Sequence, residues 1–461
     1  MTRIRTLIAA CLALAAVAVA TPAAASAAPV VGFNDHFGIG GMAQSVGLSQ
    51  QFGATSNRIF VRWDWMEKTP GNYDFSLTDL QYNALRAGGQ RPFWVFNGTP
   101  SWALPAECAG ALPTQCPAAD DATYRNFVHR FAARYPESAG YEIGNEPNLN
   151  LSWLTPDPAR YARMLRAGYE GVKSATPNVP VMIGGITPGA VSGNGIEATA
   201  FLDALYANGA KDFSDGIGYH VYVAGHVSEV APDIKKAMAA AIAVRDRYGD
   251  DGKFWITETG FPSTGKSEYS DATFDEVTQG QRLAISYRVF KSMPQVGGIY
   301  YFRLLDNAEG NPLEQSMGVF RSDGSPKPAA QALKDAINDP VAWPDYTIGA
   351  TGPKKAVSGA RFIVRATGYT GSGPVKYEWL LKRPAGHWSL PFATTTKPAT
   401  GVKYGKPANY TIGVRVVTQF DTYTVADGVT VKVQPKAKAV KKKSVAKKKK
   451  KKKAKKKKGK K

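Results

Sequence analysis

The chain has 461 residues, 44% hydrophobic and 21% charged, which is enough apolar material for a large core and excludes a wholly disordered, collagen-like or multi-span membrane protein. Its formal net charge of +21 suggests a nucleic-acid partner at first sight, yet 18 lysines and no acidic residue lie between Lys436 and Lys461, and Arg3 and Arg5 stand at the start. What lies between is close to neutral, so no basic groove and no specific nucleic-acid partner is expected.

In chain order, Arg3 and Arg5 precede an apolar run from Leu7 to Ala20, then Pro22 and the small residues Ala25-Ser26-Ala27-Ala28. This is the layout of a secretory signal peptide over residues 1–28, with the mature chain starting near Ala28 or Pro29 and ending up secreted, extracellular or attached to the envelope. No other run approaches the roughly 20 apolar residues a membrane span needs, so no transmembrane anchor is expected. Of the three cysteines, Cys11 leaves with the leader. Cys108 and Cys116 are expected to close one loop as a disulfide in an oxidising compartment, and two thiols without clustered histidines give no metal site.

From Val30 to about Asp339, short apolar runs alternate with amphipathic helical stretches, the pattern of βα units around a parallel sheet. Eight strands are expected: Val30 to Phe37, Arg58 to Trp63, Pro92 to Phe96, Tyr141 to Gly144, Val181 to Gly185, Gly216 to Tyr222, Phe254 to Glu258 and Gly298 to Arg303. Between them, Tyr124, Phe127, Val128, Phe131 and Tyr135 recur at helical spacing. Asp157-Pro158 opens another helix with a capping residue and a first-turn proline, and a last helix follows Lys327-Pro328. Eight such units over residues 29–340 predict a (β/α)8 TIM barrel. Gly38, Gly40 and Gly41 lack the phosphate-binding spacing G-x-G-x-x-G, so no nucleotide cofactor is expected.

After Trp343 helical periodicity gives way to short alternating segments: Arg361 to Thr367, Val375 to Leu381, Asn409 to Thr418 and Thr422 to Val433. With Trp379 available for burial, residues 344–434 are expected to form a small immunoglobulin-like β-sandwich, a spacer or a glycan-binding module. The poly-lysine tail, residues 435–461, carries too much like charge to collapse and is expected to stay disordered. It would either adhere to an anionic envelope or matrix polymer or serve as a tether.

Reactive groups in a TIM barrel gather where strands end at the C-terminal face. Two carboxylates stand there: Glu146 closes the fourth strand in Tyr141-Glu142-Ile143-Gly144-Asn145-Glu146-Pro147-Asn148, and Glu258 closes the seventh in Phe254-Trp255-Ile256-Thr257-Glu258. Facing each other over a sugar, such a pair can cleave a glycosidic bond, with retention at a separation of about 5–5.5 Å and inversion at about 6.5–9.5 Å. One acid must hold its proton, which burial and a neighbouring negative charge favour, while the other must stay ionised. Arg62, on the second strand and expected to point inward, is the candidate for the stabilising positive charge, with the phenol of Tyr222 as hydrogen-bond donor and His220 as a further site residue. Glu142 shares the face of Glu146 but sits deeper, as an expected ion-pair partner of Arg62. Flat aromatic rings suit the C–H faces of sugars. Trp63, Trp65, Trp94, Trp102, Trp153 and Tyr301 are candidates, with Trp102 and Trp153 favoured because they sit in loops after the third and fourth strands.

Asn145-Glu146-Pro147 and Ile256-Thr257-Glu258-Thr259-Gly260 resemble the two motifs of clan A retaining glycoside hydrolases. The longer run Tyr141 to Asn148, with Thr155-Pro156-Asp157-Pro158-Ala159-Arg160-Tyr161, is most similar to family 39 and family 39-like bacterial polysaccharide hydrolases. The similarity spans Gly32 to Ile337 and takes in Arg62-Trp63-Asp64-Trp65, Pro70-Gly71-Asn72-Tyr73-Asp74-Phe75 and Thr99-Pro100-Ser101-Trp102-Ala103. The resemblance implies Glu146 as acid/base, Glu258 as nucleophile, Asn145 as a partner of the sugar 2-hydroxyl, and Tyr222, in His220-Val221-Tyr222, as the tyrosine at the sixth strand end. A tryptophan usual near the end of strand eight is replaced here by Tyr300-Tyr301-Phe302-Arg303. The expected function is a secreted glycosidase acting on a polysaccharide or oligosaccharide. The alternative is an inactive glycan-binding or envelope-associated protein; an esterase is excluded by the lack of a G-x-S-x-G elbow.

Overall fold

The computed structural model describes residues 28–34, 41–188, 194–266, 272–308, 311–340, 344, 346–371, 375–382, 388–418, 422–424 and 428–436. The expected signal peptide up to residue 27, the lysine-rich tail from residue 437 and the end of the expected first strand at 35–37 lie outside them. Eight parallel strands, β1 (Val30–Asn34), β2 (Ser56–Arg62), β3 (Arg91–Asn97), β4 (Gly140–Asn145), β5 (Val181–Ile186), β6 (Gly216–His220), β7 (Lys253–Thr259) and β8 (Val296–Phe302), form a closed barrel in sequence order. The ring shuts through β1 and β8, where Val30 pairs with Gly298 and Asn34 with Phe302.

The expected helices form for the expected reasons. Asp120 accepts a hydrogen bond from the Thr123 amide and starts the helix Asp121–Arg134, and Asp157 caps Pro158–Ala175 through the amides of Ala159 and Arg160. Each cap satisfies amides that have no partner inside the helix. Tyr124, Phe127, Val128 and Phe131 fall on the buried stripe of the first of these helices. There Phe127 stacks on Trp63 at 4.7 Å and Phe131 meets Phe96 edge-on at 5.2 Å. Burial of each such side chain is worth about 1.5–3 kcal/mol.

Inside, the barrel is layered. Near the strand starts, Phe93, Met182 and Tyr300 pack with Trp255 and plug the bottom. Glycines face them: a Cβ on Gly32, Gly140 or Gly298 would lie within 2.7 Å of the Tyr300, Phe93 or Trp255 ring. One level up, the interior turns polar, with Asn34, Arg58, Glu142 and Thr257 buried. The C-terminal ends of the strands, immediately above, are where a cleft opens.

Residues 346–434 form two further sheets. One has the order Lys355–Val357, Val429–Gln434, Ala408–Val417, Lys376–Leu381, Ala393–Thr395, with Thr422–Thr424 added on Ala408–Val417. The other is Ala399–Lys403, Arg361–Thr367, Gly349–Thr351. Phe362, Val364 and Val402 of the smaller sheet share a core with Trp379, Ile412, Val414 and Val431 of the larger, so the two form a sandwich. Trp379 is buried, as expected, with its Nε1 donating to Thr395 Oγ1 at 3.0 Å. Among the described residues no helix is long and apolar enough to cross a membrane.

Candidate active site

The site is built on a buried guanidinium. Arg58, near the middle of β2, points into the barrel with no solvent exposure and uses all three nitrogens. Its Nε donates to Glu142 Oε2 at 2.7 Å, Nη1 to Glu258 Oε1 at 2.7 Å and to Asn34 Oδ1 at 2.8 Å, and Nη2 to Asn145 Oδ1 at 2.7 Å. Thr257 Oγ1 donates to the other oxygen of Glu142 at 2.9 Å. Burial alone would lower the Arg58 pKa, but the two carboxylates outweigh it and raise it. This cation therefore fixes Glu258 and Asn145 in one frame.

Glu258 reaches that frame through an irregularity in β7. Tyr219 pairs with Ile256, whereas the next residue, His220, pairs with Glu258, leaving Thr257 as an extra residue. A bulge of this kind re-aims side chains, and here it lets both Thr257 and Glu258 bond to interior groups. Glu258 also accepts a hydrogen bond from Tyr222 Oη at 2.8 Å on Oε2. Burial pushes its pKa up, but the charges of His220 and Arg58 and the bonds from Tyr222 and Arg58 more than reverse that, so Glu258 is held below the usual glutamate value. Desolvation of the Tyr222 hydroxyl, followed by the Glu258 charge, raises the tyrosine well above its ordinary range and keeps it a donor.

Glu146 follows β4 directly, and its backbone has φ +46°, a left-handed conformation that costs a residue other than glycine roughly 1–2 kcal/mol. The conformation is held from both sides: Glu146 N donates to Gly185 O at 3.0 Å, and Leu149 N donates to Glu146 O at 2.9 Å. It turns the side chain back over the barrel mouth, where Glu146 Oε1 lies 2.9 Å from His220 Nδ1. That same Nδ1 lies 3.6 Å from Glu258 Oε2. The three groups thus converge: one ligand-type atom from each of Glu146, His220 and Glu258 lies within 4.8 Å of the others.

The His220 ring is buried, and its Nε2 has no hydrogen-bond partner. It sits so close to Gly185 that a Cβ there would lie 2.0 Å away. Burial favours a neutral ring, whereas the Glu258 and Glu146 carboxylates prevail and raise its pKa. A second proton on Nε2 would still leave a buried donor unsatisfied, at about 1–3 kcal/mol. The Nδ1 proton is common to the neutral and the charged ring and faces both carboxylates, at 2.9 and 3.6 Å.

This trio is also the set of described residues that could gather round a cation. Arg58 already neutralises Glu258 and Tyr222 occupies its second oxygen, so a metal ion would have to compete with both.

Several expected site residues meet: Glu146, Glu258, Asn145, His220 and Tyr222 surround one opening. Others do not. Arg62 does not reach Glu258; it forms a bidentate pair with Asp64 at 2.8 and 2.6 Å. Arg58, four residues earlier and on the same face of β2, takes the place expected of it beside Glu258 and Glu142. Tyr301 is no platform. The alternation of β8 turns Tyr300 inward to Ser56 and Tyr301 outward, buried against Phe33 and Ser286. Trp102 donates Nε1 to Glu67 O at 2.8 Å and packs edge-on to Trp63, forming wall. Trp153 is mostly buried against Tyr161, lining a cavity of about 30 Å³ that also touches Asn97, Asn145 and Pro147. Cys108 and Cys116 form the expected disulfide, and Cys116 lines the same cavity. Arg58 and Asn34 were not among the expected site residues, although alternation along β2 puts Arg58, Phe60 and Arg62 on one face.

No protein-family model matches the sequence, and comparison with curated proteins finds no match. Solved structures do match. A family 39 glycoside hydrolase from the gut symbiont Bacteroides cellulosilyticus WH2 superposes with a TM-score of 0.54 at 20% identity, over 87% of this chain and 81% of the other. A monomeric β-xylosidase from Caulobacter crescentus CB15 gives 0.53 at 16% identity, over 89% and 98%. The GH39 enzyme from Xanthomonas axonopodis pv. citri gives 0.50 at 16%, over 87% and 94%. The likeness is one of fold. It falls on the same group of enzymes that Asn145-Glu146-Pro147 and Glu258 resemble in sequence.

Proposed function

We propose that this chain is a secreted glycoside hydrolase that cleaves O-glycosidic bonds of a polysaccharide or oligosaccharide with net retention, using Glu146 as acid/base and Glu258 as nucleophile. The observation that carries the reading is the separation of the two carboxylates, whose nearest oxygens are no more than 4.8 Å apart. That suits direct attack and the close spacing of a retaining pair, about 5–5.5 Å, better than the spacing of an inverting one, about 6.5–9.5 Å.

Each neighbour then has a task. Arg58 and Tyr222 keep Glu258 ionised and aim it. The Glu146 proton passes to the glycosidic oxygen as Glu258 attacks the anomeric carbon; the bond to the leaving group breaks and a glycosyl ester forms. Water then attacks the anomeric carbon of that ester, giving its proton to Glu146 and releasing Glu258. In each state the Nδ1–H of His220 faces whichever carboxylate carries the charge, 2.9 Å from Glu146 and 3.6 Å from Glu258. Asn145, clamped by Arg58, is positioned to bond a sugar hydroxyl. The fold shared with a family 39 glycoside hydrolase and a β-xylosidase supports the reading. Export by the leader, and attachment of the lysine-rich tail to an anionic envelope or matrix polymer, complete it.

The acid role has its own signature. Glu146→Ala lowers kcat/KM on an alkyl glycoside by about 10²–10⁴-fold, because a poor leaving group needs the proton. A dinitrophenyl glycoside, whose leaving group departs unassisted, loses far less in its first step. Steady-state comparison of the two substrates reads this directly, and equal losses on both contradict the assignment.

A further inference from the structure

We propose that Trp65, held by Arg62 and Asp64 at the rim of the barrel, is a distal sugar-binding platform that makes the enzyme prefer chains of at least two sugar residues. The proposal rests on the glycosidase reading above and deepens it.

Trp65 lies in the short helix Trp63–Met66 that follows β2, at the same end of the barrel as Glu146 and Glu258. The residue is 56% exposed, while the chain's other candidate tryptophans at this end, Trp63, Trp102 and Trp153, are buried or packed as wall. A lone exposed aromatic residue needs no explanation. This one is built in. The Arg62 guanidinium lies 4.3 Å from the indole centre, and its Nε and Nη2 are both taken by Asp64, at 2.8 and 2.6 Å. Asp64 is tied by its amide to Gly98 O at 3.2 Å, across the gap to the end of β3. Gly98 has φ +74°, and a Cβ there would lie 2.1 Å from Asp64 Oδ1 and 2.9 Å from Arg62 Nε. Only glycine leaves space for this ion pair, so two strand ends cooperate to keep one face of the indole supported. A rigid ring loses little entropy when a sugar stacks on its other face.

The platform is continuous with the reaction centre. Arg58, Phe60 and Arg62 share the inward face of β2. Phe60 is 36% exposed, its ring 5.0 Å from the Arg58 guanidinium. At about 3.3 Å per residue, roughly 13 Å of strand separates Arg58 from Arg62, more than one pyranose ring spans. A saccharide reacting at Glu258 therefore reaches Trp65 only if it carries a further sugar residue. Since Asp64 neutralises Arg62, the surface offers stacking without net charge, which fits uncharged sugars.

The test uses the full mature chain with nitrophenyl glycosides of xylose, mannose, glucose and galactose and the matching di- to hexasaccharides. Trp65→Ala should lower the ratio of kcat/KM on the longer chain to that on the monoglycoside by about 10-fold, mainly through KM. Trp65→Phe should restore most of it, and Arg62→Ala should fall between. Being exposed, Trp65 can be replaced without loss of folding. An unchanged ratio in Trp65→Ala overturns the platform while leaving the glycosidase reading intact. If wild type cleaves none of these substrates, that reading fails instead; calorimetric titration with the same hexasaccharides then decides the platform, which is overturned unless wild type binds one and Trp65→Ala weakens it.

Discussion

Glu258→Ala should abolish turnover, with kcat falling on the order of 10⁵-fold, and sodium azide should restore part of it on a glycoside with a good leaving group. The variant removes the group that attacks the anomeric carbon, while Arg58 keeps its bonds to Glu142, Asn34 and Asn145, so the barrel stays assembled. Azide is small enough to enter the vacated volume and approaches along the path the carboxylate took. The product is then a glycosyl azide of anomeric configuration opposite to the substrate, identified by NMR. Azide incorporated with the substrate's own configuration would mean that the anion enters from the Glu146 side and that the two roles are exchanged.

The second large effect is on the frame. Arg58→Met strips the cation from two carboxylates, of which Glu142 is wholly buried. Breaking a buried ion pair by removing one partner typically costs about 3–5 kcal/mol, which in a domain of this size corresponds to a fall of roughly 10 °C in melting temperature. Adding Glu142→Gln removes the stranded charge and should recover much of that stability, as followed by thermal denaturation. Activity should not return with it. Without Arg58 only His220 and Tyr222 are left of the groups that oppose the effect of burial, so the Glu258 pKa rises, and a carboxyl with a raised pKa ionises only at higher pH. The acid limb of whatever activity survives therefore moves to higher pH. An unchanged melting temperature and acid limb in the Arg58→Met variant would show that the guanidinium is not what holds Glu258 ionised.

The same residue marks where the sequence stopped being legible. Alternation along β2 puts Arg58, Phe60 and Arg62 on one face, but alternation says nothing of depth. The strand begins two residues earlier than the apolar run suggests, at Ser56, whose hydroxyl meets Tyr300 near the bottom of the barrel. That shift lifts Arg58 from the floor to the level of Glu142 and Glu258 and lifts Arg62 to the rim. Tyr301 fails as a site residue for a related reason, since the register of β8 against β1 determines which of two adjacent tyrosines faces inward. The bulge that brings Thr257 and Glu258 to bear on the same interior network has no marker in the sequence.

By contrast, the eight strands were readable because each is a short apolar run, and the helices Asp121–Arg134, Pro158–Ala175 and Pro328–Asn338 because of apolar residues at helical spacing or a capping Asp or first-turn Pro at the start. Glu146 and Glu258 were readable because each closes such a strand. In the C-terminal sandwich Arg361–Thr367, Lys376–Leu381 and Ala408–Val417 could be anticipated from alternation, whereas Ala399–Lys403 was missed and the single segment expected from Thr422 to Val433 is two strands, Thr422–Thr424 and Val429–Gln434. Gly349–Thr351, Lys355–Val357 and Ala393–Thr395 could not be anticipated, since three residues carry too little alternation to stand out from turns.

The most direct test of the account is the configuration of the first product. Hydrolysis of a nitrophenyl glycoside followed by proton NMR, at times short against mutarotation, reads the anomeric proton of the released sugar. Carboxylates whose nearest oxygens are no more than 4.8 Å apart predict that this sugar appears first with the configuration of the substrate. Initial appearance of the opposite anomer would contradict it, since a single displacement by water is the mark of a more widely spaced pair.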